Sequence, residues 1–157
     1  MNFKRAIESD IEENLFKGKV ITIYGPRRVG KTFLSKELLK HHPDGQYINC
    51  ELQENREKLT TTSAQKIRDI IGIDKRVIIL DEAQVIPNIG QTLKIMADEF
   101  SNVQIIATGS SSFDLAQKIS EPMTGRVRQY LLLPLSLSEL DSAYNPAELD
   151  GRLETSL

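Results

Sequence analysis

The octet GPRRVGKT, Gly25 to Thr32, follows a β-branched run, VITIY, and precedes an apolar-periodic stretch, FLSKELLK. Glycines, arginines and a lysine therefore crowd the turn where a strand hands over to a helix. The spacing fits G-x-x-x-x-G-K-[ST] through Gly25, Gly30, Lys31 and Thr32, with the strand before and the helix after that this pattern requires. Glycines let the backbone fold around a phosphate, so that amide N–H groups and the positive helix end point inward. Lys31 then reaches β and γ phosphates and Thr32 offers its hydroxyl to Mg²⁺. The candidate nucleotide-binding residues are Gly25, Pro26, Arg27, Arg28, Val29, Gly30, Lys31, Thr32 and Phe33. Arg27 and Arg28 occupy variable loop positions whose side chains point outward. An ordinary glycine turn with a solvated Lys31 is the plainer reading, and it leaves the carboxylates downstream unexplained.

Around this feature, helical and extended segments alternate. Phe3, Ile7, Ile11 and Leu15 recur every four residues before KGK, giving an opening amphipathic helix. QYINCEL reads as a second strand, followed after a polar stretch by a helix from Ser63 to Ile71 that stops at Gly72. RVIILDE is a third strand, and Pro87 opens a helix carrying Ile89, Leu93, Met96, Ala97 and Phe100 on one face. NVQIIATGSSS is a fourth strand, Ser112 caps a short helix to about Ile119, and RVRQYLLLPLS is a fifth strand. Strands that are apolar throughout and separated by helices imply an α/β fold, a parallel sheet covered on both faces. In such sheets ligands bind beyond the carboxyl ends of the strands, where Gly25, Asp81, Glu82 and Thr108 all fall.

Asp81, at the tip of an apolar strand, is where a P-loop enzyme holds Mg²⁺. The adjacent Glu82 is the candidate catalytic base, because a second carboxylate beside the metal can orient and polarise an attacking water. The plainer role for Glu82 is a helix-start acid, and Gln84 either supports the same water or packs locally. Thr108, with Ser110 as its understudy, is the candidate γ-phosphate sensor. Arg126, ahead of Arg128, is the candidate arginine finger supplied to a neighbour's nucleotide. His41 and His42 end a helix and read as structural, since no nearby ligand pattern suggests a transition metal. Cys50, the single cysteine, reads as an inward-facing strand residue and excludes an internal disulfide.

With 157 residues the expectation is one domain with one substantial core. The 20 Lys and Arg against 22 Asp and Glu give a net charge of −2, so no broad basic surface argues for nucleic acid or anionic membrane. The start of the chain carries no apolar signal region, and no segment approaches the roughly 18 apolar residues of a membrane span. The expected location is cytoplasmic, without a membrane partner.

GPRRVGKT, VIILDEAQ, IIATGSSSFDL, TGR and LLLPLSLSEL together resemble the AAA-type ATPase domain of bacterial and archaeal proteins that commonly carry a further C-terminal region. The resemblance runs from about Lys17 to Leu140. It implies a P-loop NTPase three-layer α/β/α sandwich with an extra strand between the phosphate-loop strand and the Asp-Glu strand. The sheet order would be 5-1-4-3-2, with Thr108 between Gly25 and Asp81. It also implies ATP and Mg²⁺ as cofactors, with Lys31 and Thr32 on phosphates and magnesium, Asp81 on magnesium and Glu82 on water. Residues 1–140 then form the ATPase core. Asn145, Pro146 and Glu148 cap a further helix with Leu149, Leu153 and Leu157 on one face, so 141–157 read as the start of a truncated C-terminal helical segment.

The function expected is Mg-ATP hydrolysis coupled to a partner or C-terminal domain, with self-association through the nucleotide site. The alternative is a nucleotide-dependent switch or scaffold with negligible turnover. A small-molecule kinase fits less well, because no arginine-rich lid intervenes and an Asp-Glu pair suits water. GTP is disfavoured because no N-K-x-D stretch is present. The residues do not choose between DNA, protein or a further domain as the partner.

Overall fold

Val77–Asp81 has no polar side chain until its last residue, and every one of its positions is buried. A strand of that kind needs cover on both faces, and the architecture supplies it. The computed structural model describes residues 4–60, 63–72, 74–110, 119 and 123–143. Its elements in chain order are α1 (Ala6–Glu13), β1 (Val20–Tyr24), α2 (Lys31–Lys40), β2 (Gly45–Asn49), α3 (Gln53–Leu59), α4 (Ala64–Ile71), β3 (Val77–Asp81), a 3-10 helix (Ala83–Val85), α5 (Ile89–Glu99), β4 (Gln104–Gly109), β5 (Val127–Leu131) and α6 (Leu137–Ala143). The strands form one sheet of order β2-β3-β4-β1-β5, every pair parallel. This is the expected 5-1-4-3-2 order read from the other edge, and the fold is the P-loop NTPase sandwich.

Alternation along the strands divides the core in two. Ile21, Ile23, Val77, Ile79 and Ile106 face α1 and α2, where they meet Ile11, Leu34 and Leu38. Ile78, Leu80, Ile105 and Ala107 face α3, α4 and α5, where they meet Leu59, Ile67, Ile71, Leu93 and Met96. By the same period of two, Asp81 and Thr108 share the α2 face with Ile79 and Ile106. Slipping β3 by one residue would drive the Asp81 carboxylate into the α3–α5 core. Burying each isoleucine is worth about 1.5–3 kcal/mol, and an unpaired buried charge costs more, so this register is strongly specified.

Four details differ from the expectations. Gln53–Leu59 is helical, although only Leu59 of its residues is buried. The helix is held locally, by Asn55 Nδ2 donating to the Asn49 carbonyl at 2.8 Å and by the Lys58–Glu54 pair one turn apart. Pro87 does not open α5: Asn88, in the left-handed region at φ 58°, precedes its first residue, Ile89, and the Asn88 carbonyl accepts from Gln91 and Thr92. β2 ends at Asn49 rather than continuing to Leu52. β5 ends at Leu131, because its neighbour β1 ends at Tyr24; Leu132 adds one last hydrogen bond to the Tyr24 carbonyl, 2.8 Å. The helix expected over 112–119 and the one expected beyond Asn145 lie outside the described residues, apart from Ile119, which is buried. Among the described residues no helix is long and apolar enough to cross a membrane.

Candidate functional site

The β1–α2 turn sits at the carboxyl edge of the sheet, and its two glycines are required for different reasons. Gly30 caps α2 with φ 100°, a region that side-chain-bearing residues rarely adopt. A Cβ on Gly25 would lie 2.2 Å from the Leu132 carbonyl oxygen, so the strand exit of β5 packs directly against the start of the loop. Lys31, 4% exposed, donates from Nζ to the Gly25 and Pro26 carbonyls at 3.1 and 3.0 Å. Its ammonium is thus drawn across the loop on the loop's own oxygens. Arg27 and Arg28 are exposed, as expected of variable positions, and Phe33 is exposed too.

The acids converge on this turn. Thr32 Oγ1 donates to Asp81 Oδ2 at 2.8 Å, joining the first turn of α2 to the end of β3. Thr108, fully buried on the intervening β4, donates from Oγ1 to Asp81 Oδ1 at 2.5 Å and accepts the Glu82 backbone N–H at 3.1 Å. Thr108 therefore braces the two acids against each other. Glu82 takes the left-handed conformation at φ 54°, a cost of about 1–3 kcal/mol that its packed surroundings must offset. Its Oε1 lies 3.8 Å from Lys31 Nζ, and its Oε2 accepts from Gln84 Nε2 at 2.5 Å. Gln84 Nε2 also lies 3.1 Å from Ser110 Oγ, so Gln84 is tied to the candidate base rather than only packed nearby. An open cleft of about 680 Å³ fronts these groups, lined in part by Arg27, Arg28, Lys36, Asn49 and Glu51.

Tyr47 is a site residue that the sequence reading missed. Its phenol donates to Asp81 Oδ2 at 2.5 Å, the oxygen that Thr32 also holds. Burial first, then the hydrogen bond to Asp81, push the phenol's pKa above its ordinary value of 10. The signal was the strand alternation: Tyr47 pairs with Ile79 in register and so shares a face with Asp81, but this shows only once β2 is known to lie beside β3.

Arg126 is placed elsewhere. Its carbonyl accepts from Val20 at the amino end of β1, a strand length of roughly 13 Å from the phosphate turn, and its guanidinium pairs with Asp98. The structure does not bring it to the site of its own chain. His41 and His42 both sit at hydrogen-bond distance from Glu12, which joins α1 to the end of α2 and fits a structural role.

The family model described as AAA domain matches residues 17–141, most of the chain. The chain belongs to the AAA domain family. Among curated relatives, the uncharacterized protein MJ1544 of Methanocaldococcus jannaschii is 28% identical over 140 residues, covering 86% of this chain and 31% of the relative. The uncharacterized protein Rv2008c of Mycobacterium tuberculosis is 28% identical over 141 residues, covering 89% and 31%. The chain thus spans about a third of the length of the curated relatives it matches. Among solved structures, the Walker-type ATPase PABY2304 of Pyrococcus abyssi superposes with TM-score 0.62 at 23% identity, over 88% of this chain and 55% of that one. The Aeropyrum pernix ORC1 protein, solved in complex with DNA, superposes with TM-score 0.59 at 13% identity, over 96% and 49%. Both likenesses support the P-loop fold.

Proposed function

We propose that this AAA domain binds Mg-ATP through the Gly25–Thr32 turn and hydrolyses it, with Glu82 as the base. The observation that carries this reading is the convergence of four side chains from the start of α2 and the end of β3: Thr32 Oγ1 lies 2.8 Å from Asp81 Oδ2, and Lys31 Nζ lies 3.8 Å from Glu82 Oε1. A hydroxyl and a carboxylate so close together, both hard oxygen donors, suit Mg²⁺ rather than a softer ion. Thr32 and Asp81 would hold the ion there, and it would neutralise negative charge on the phosphates.

In this reading Lys31 exchanges the Gly25 and Pro26 carbonyls for phosphate oxygens, and the loop amides and the α2 amino end stabilise the remaining charge. Glu82 accepts a proton from water as that water's oxygen attacks the γ phosphorus and the bond to the ADP oxygen breaks, leaving ADP and inorganic phosphate. Thr108 holds Asp81 and Glu82 in fixed relation, while Gln84 orients the Glu82 carboxylate from the Ser110 side. Coupling to a protein, nucleic acid or further-domain partner belongs to the same proposal.

Calorimetric titration of Mg-ATP tests the binding half. Removing the Lys31 ammonium, worth about 1.5–3 kcal/mol for hydrogen bonds to a charged group, is expected to weaken binding on the order of tenfold to a hundredfold in Lys31→Ala. No heat from the parent chain at millimolar nucleotide would overturn the reading.

A second reading, a nucleotide-dependent switch with negligible turnover, is favoured by one feature. Both Glu82 oxygens are already engaged, one beside Lys31 and one by Gln84. Single-turnover hydrolysis separates the two, since a switch binds nucleotide and releases no phosphate.

A further inference from the structure

Arg5 precedes α1 and would be expected to lie in solvent, yet it is only 5% exposed. Buried arginines persist when their donors are matched, and here each arm of the guanidinium has its own acceptor. Nε donates to Glu139 Oε1 at 3.1 Å, Nη1 to the Val29 carbonyl at 2.9 Å and Nη2 to the Leu133 carbonyl at 2.5 Å. Val29 is in the phosphate turn, Leu133 lies just past β5, and Glu139 belongs to α6. One planar fork therefore joins the phosphate turn, the chain after β5 and α6.

Glu139 is equally committed. Besides Arg5 it accepts the Ala6 N–H at 2.7 Å on Oε1, and the Ser136 N–H and hydroxyl at 2.8 and 3.1 Å on Oε2. Burial works against its ionisation, but the backbone donors of Ser136 and Ala6, followed by Arg5, outweigh it and hold the carboxyl at about 2. None of these contacts is needed for the proposed chemistry of Lys31, Asp81 and Glu82.

The Val29 contact bears on nucleotide binding. In a planar trans peptide the carbonyl and the following N–H point in opposite directions, so anchoring the Val29 carbonyl on Arg5 turns the Gly30 N–H away from Arg5. That is the sense in which a phosphate cradle uses such an amide. A Cβ on Gly30 would stand 3.5 Å from Arg5 Nη1, so the guanidinium lies directly against the turn.

We propose that Arg5 and Glu139 form a clasp that positions the phosphate turn and couples its occupancy by a nucleoside triphosphate to the placement of α6. This rests on the nucleotide-binding reading above. Arg5 is a positioning residue: it acts through the Val29 peptide. Because coupling is reciprocal, nucleotide must hold α6 in place as strongly as an intact clasp favours nucleotide. A lysine keeps the charge but cannot serve three acceptors in one plane.

The test uses the full chain as parent, Arg5→Lys and Glu139→Gln, with Ile71→Val in α4 as a destabilised control remote from the clasp. Two quantities are read: the Mg-ATP dissociation constant, and hydrogen exchange of the 133–143 segment with and without nucleotide. Nucleotide should slow exchange of this segment in the parent and in Ile71→Val. In both clasp variants the segment should exchange faster without nucleotide and lose the slowing, and the dissociation constant should rise about 5- to 150-fold. Dissociation constants within twofold of the parent's, or a parent segment whose exchange ignores nucleotide, would overturn the clasp and leave the nucleotide reading standing. A parent that binds no nucleotide would overturn both.

Discussion

Cys50 shows how the site's charge reaches a neighbour. It lies one residue past β2 with no exposed surface, and its backbone N–H donates to the Asp81 carbonyl at 2.9 Å. Burial, and after it the negative charge of Asp81, push the thiol up to about 12. An unfolded thiol titrates near 8.5, so this group's contribution to stability is complete below about pH 8.5 and is lost as the pH rises from there towards 12. Iodoacetamide at pH 8.5 should therefore alkylate Cys50 slowly in the native protein and rapidly in urea, as read by intact mass; equal rates would contradict the burial. That Cys50 faces inward was legible in its setting, although β2 ends one residue before it; Lys31 and Thr32 stand out through the glycine spacing of their turn, and Asp81 and Glu82 as the acids that follow an apolar strand. Tyr47 and Arg5 were not, because their partners depend on which strands are neighbours and on contacts across more than a hundred residues of sequence.

Among the elements, the β1–α2 turn carries a packing constraint besides its proposed binding role. The sequence assigns Gly25 to phosphate approach, and the structure adds the Leu132 carbonyl, which a methyl group would meet at 2.2 Å. That obstacle is backbone, fixed beside β1 by the Leu132 N–H bond to the Tyr24 carbonyl, so it cannot swing aside as a side chain would. Gly25→Ala should lower the free energy of unfolding without nucleotide by about 1–3 kcal/mol, as expected of overpacking, and shift the urea midpoint accordingly. A midpoint equal to the parent's would show that the strand exit yields freely. β1, α2, α4 and β3 were readable because periodicity and stop signals agree; Ser63 caps α4 and Gly72 follows its last residue. α3 escaped because a helix with one buried residue has no apolar stripe. β5 is shorter than its apolar run suggests because LLLPLS is apolar without being buried throughout: Leu132 is in the core, but Leu133 is 57% exposed and Leu135 36%.

For the whole molecule, the parallel sheet with two covered faces followed from the residues, while the strand order came from family resemblance, since no local pattern says which strands pair. Arg126 belongs to this scale. It stands at the sheet edge away from the phosphate turn, paired with the exposed Asp98, so it can serve only another copy's nucleotide. If it does, Arg126→Ala should reduce turnover only at concentrations where the chain self-associates, and there by about 10³-fold or more. Equal rates for variant and parent at every concentration would remove the finger assignment. The most direct test of the account remains the Glu82 carboxylate. Phosphate release measured under single-turnover conditions with Mg-ATP should fall by about 10²- to 10⁴-fold in Glu82→Gln, with nucleotide affinity retained; release at the parent's rate would contradict the assignment of Glu82 as the base.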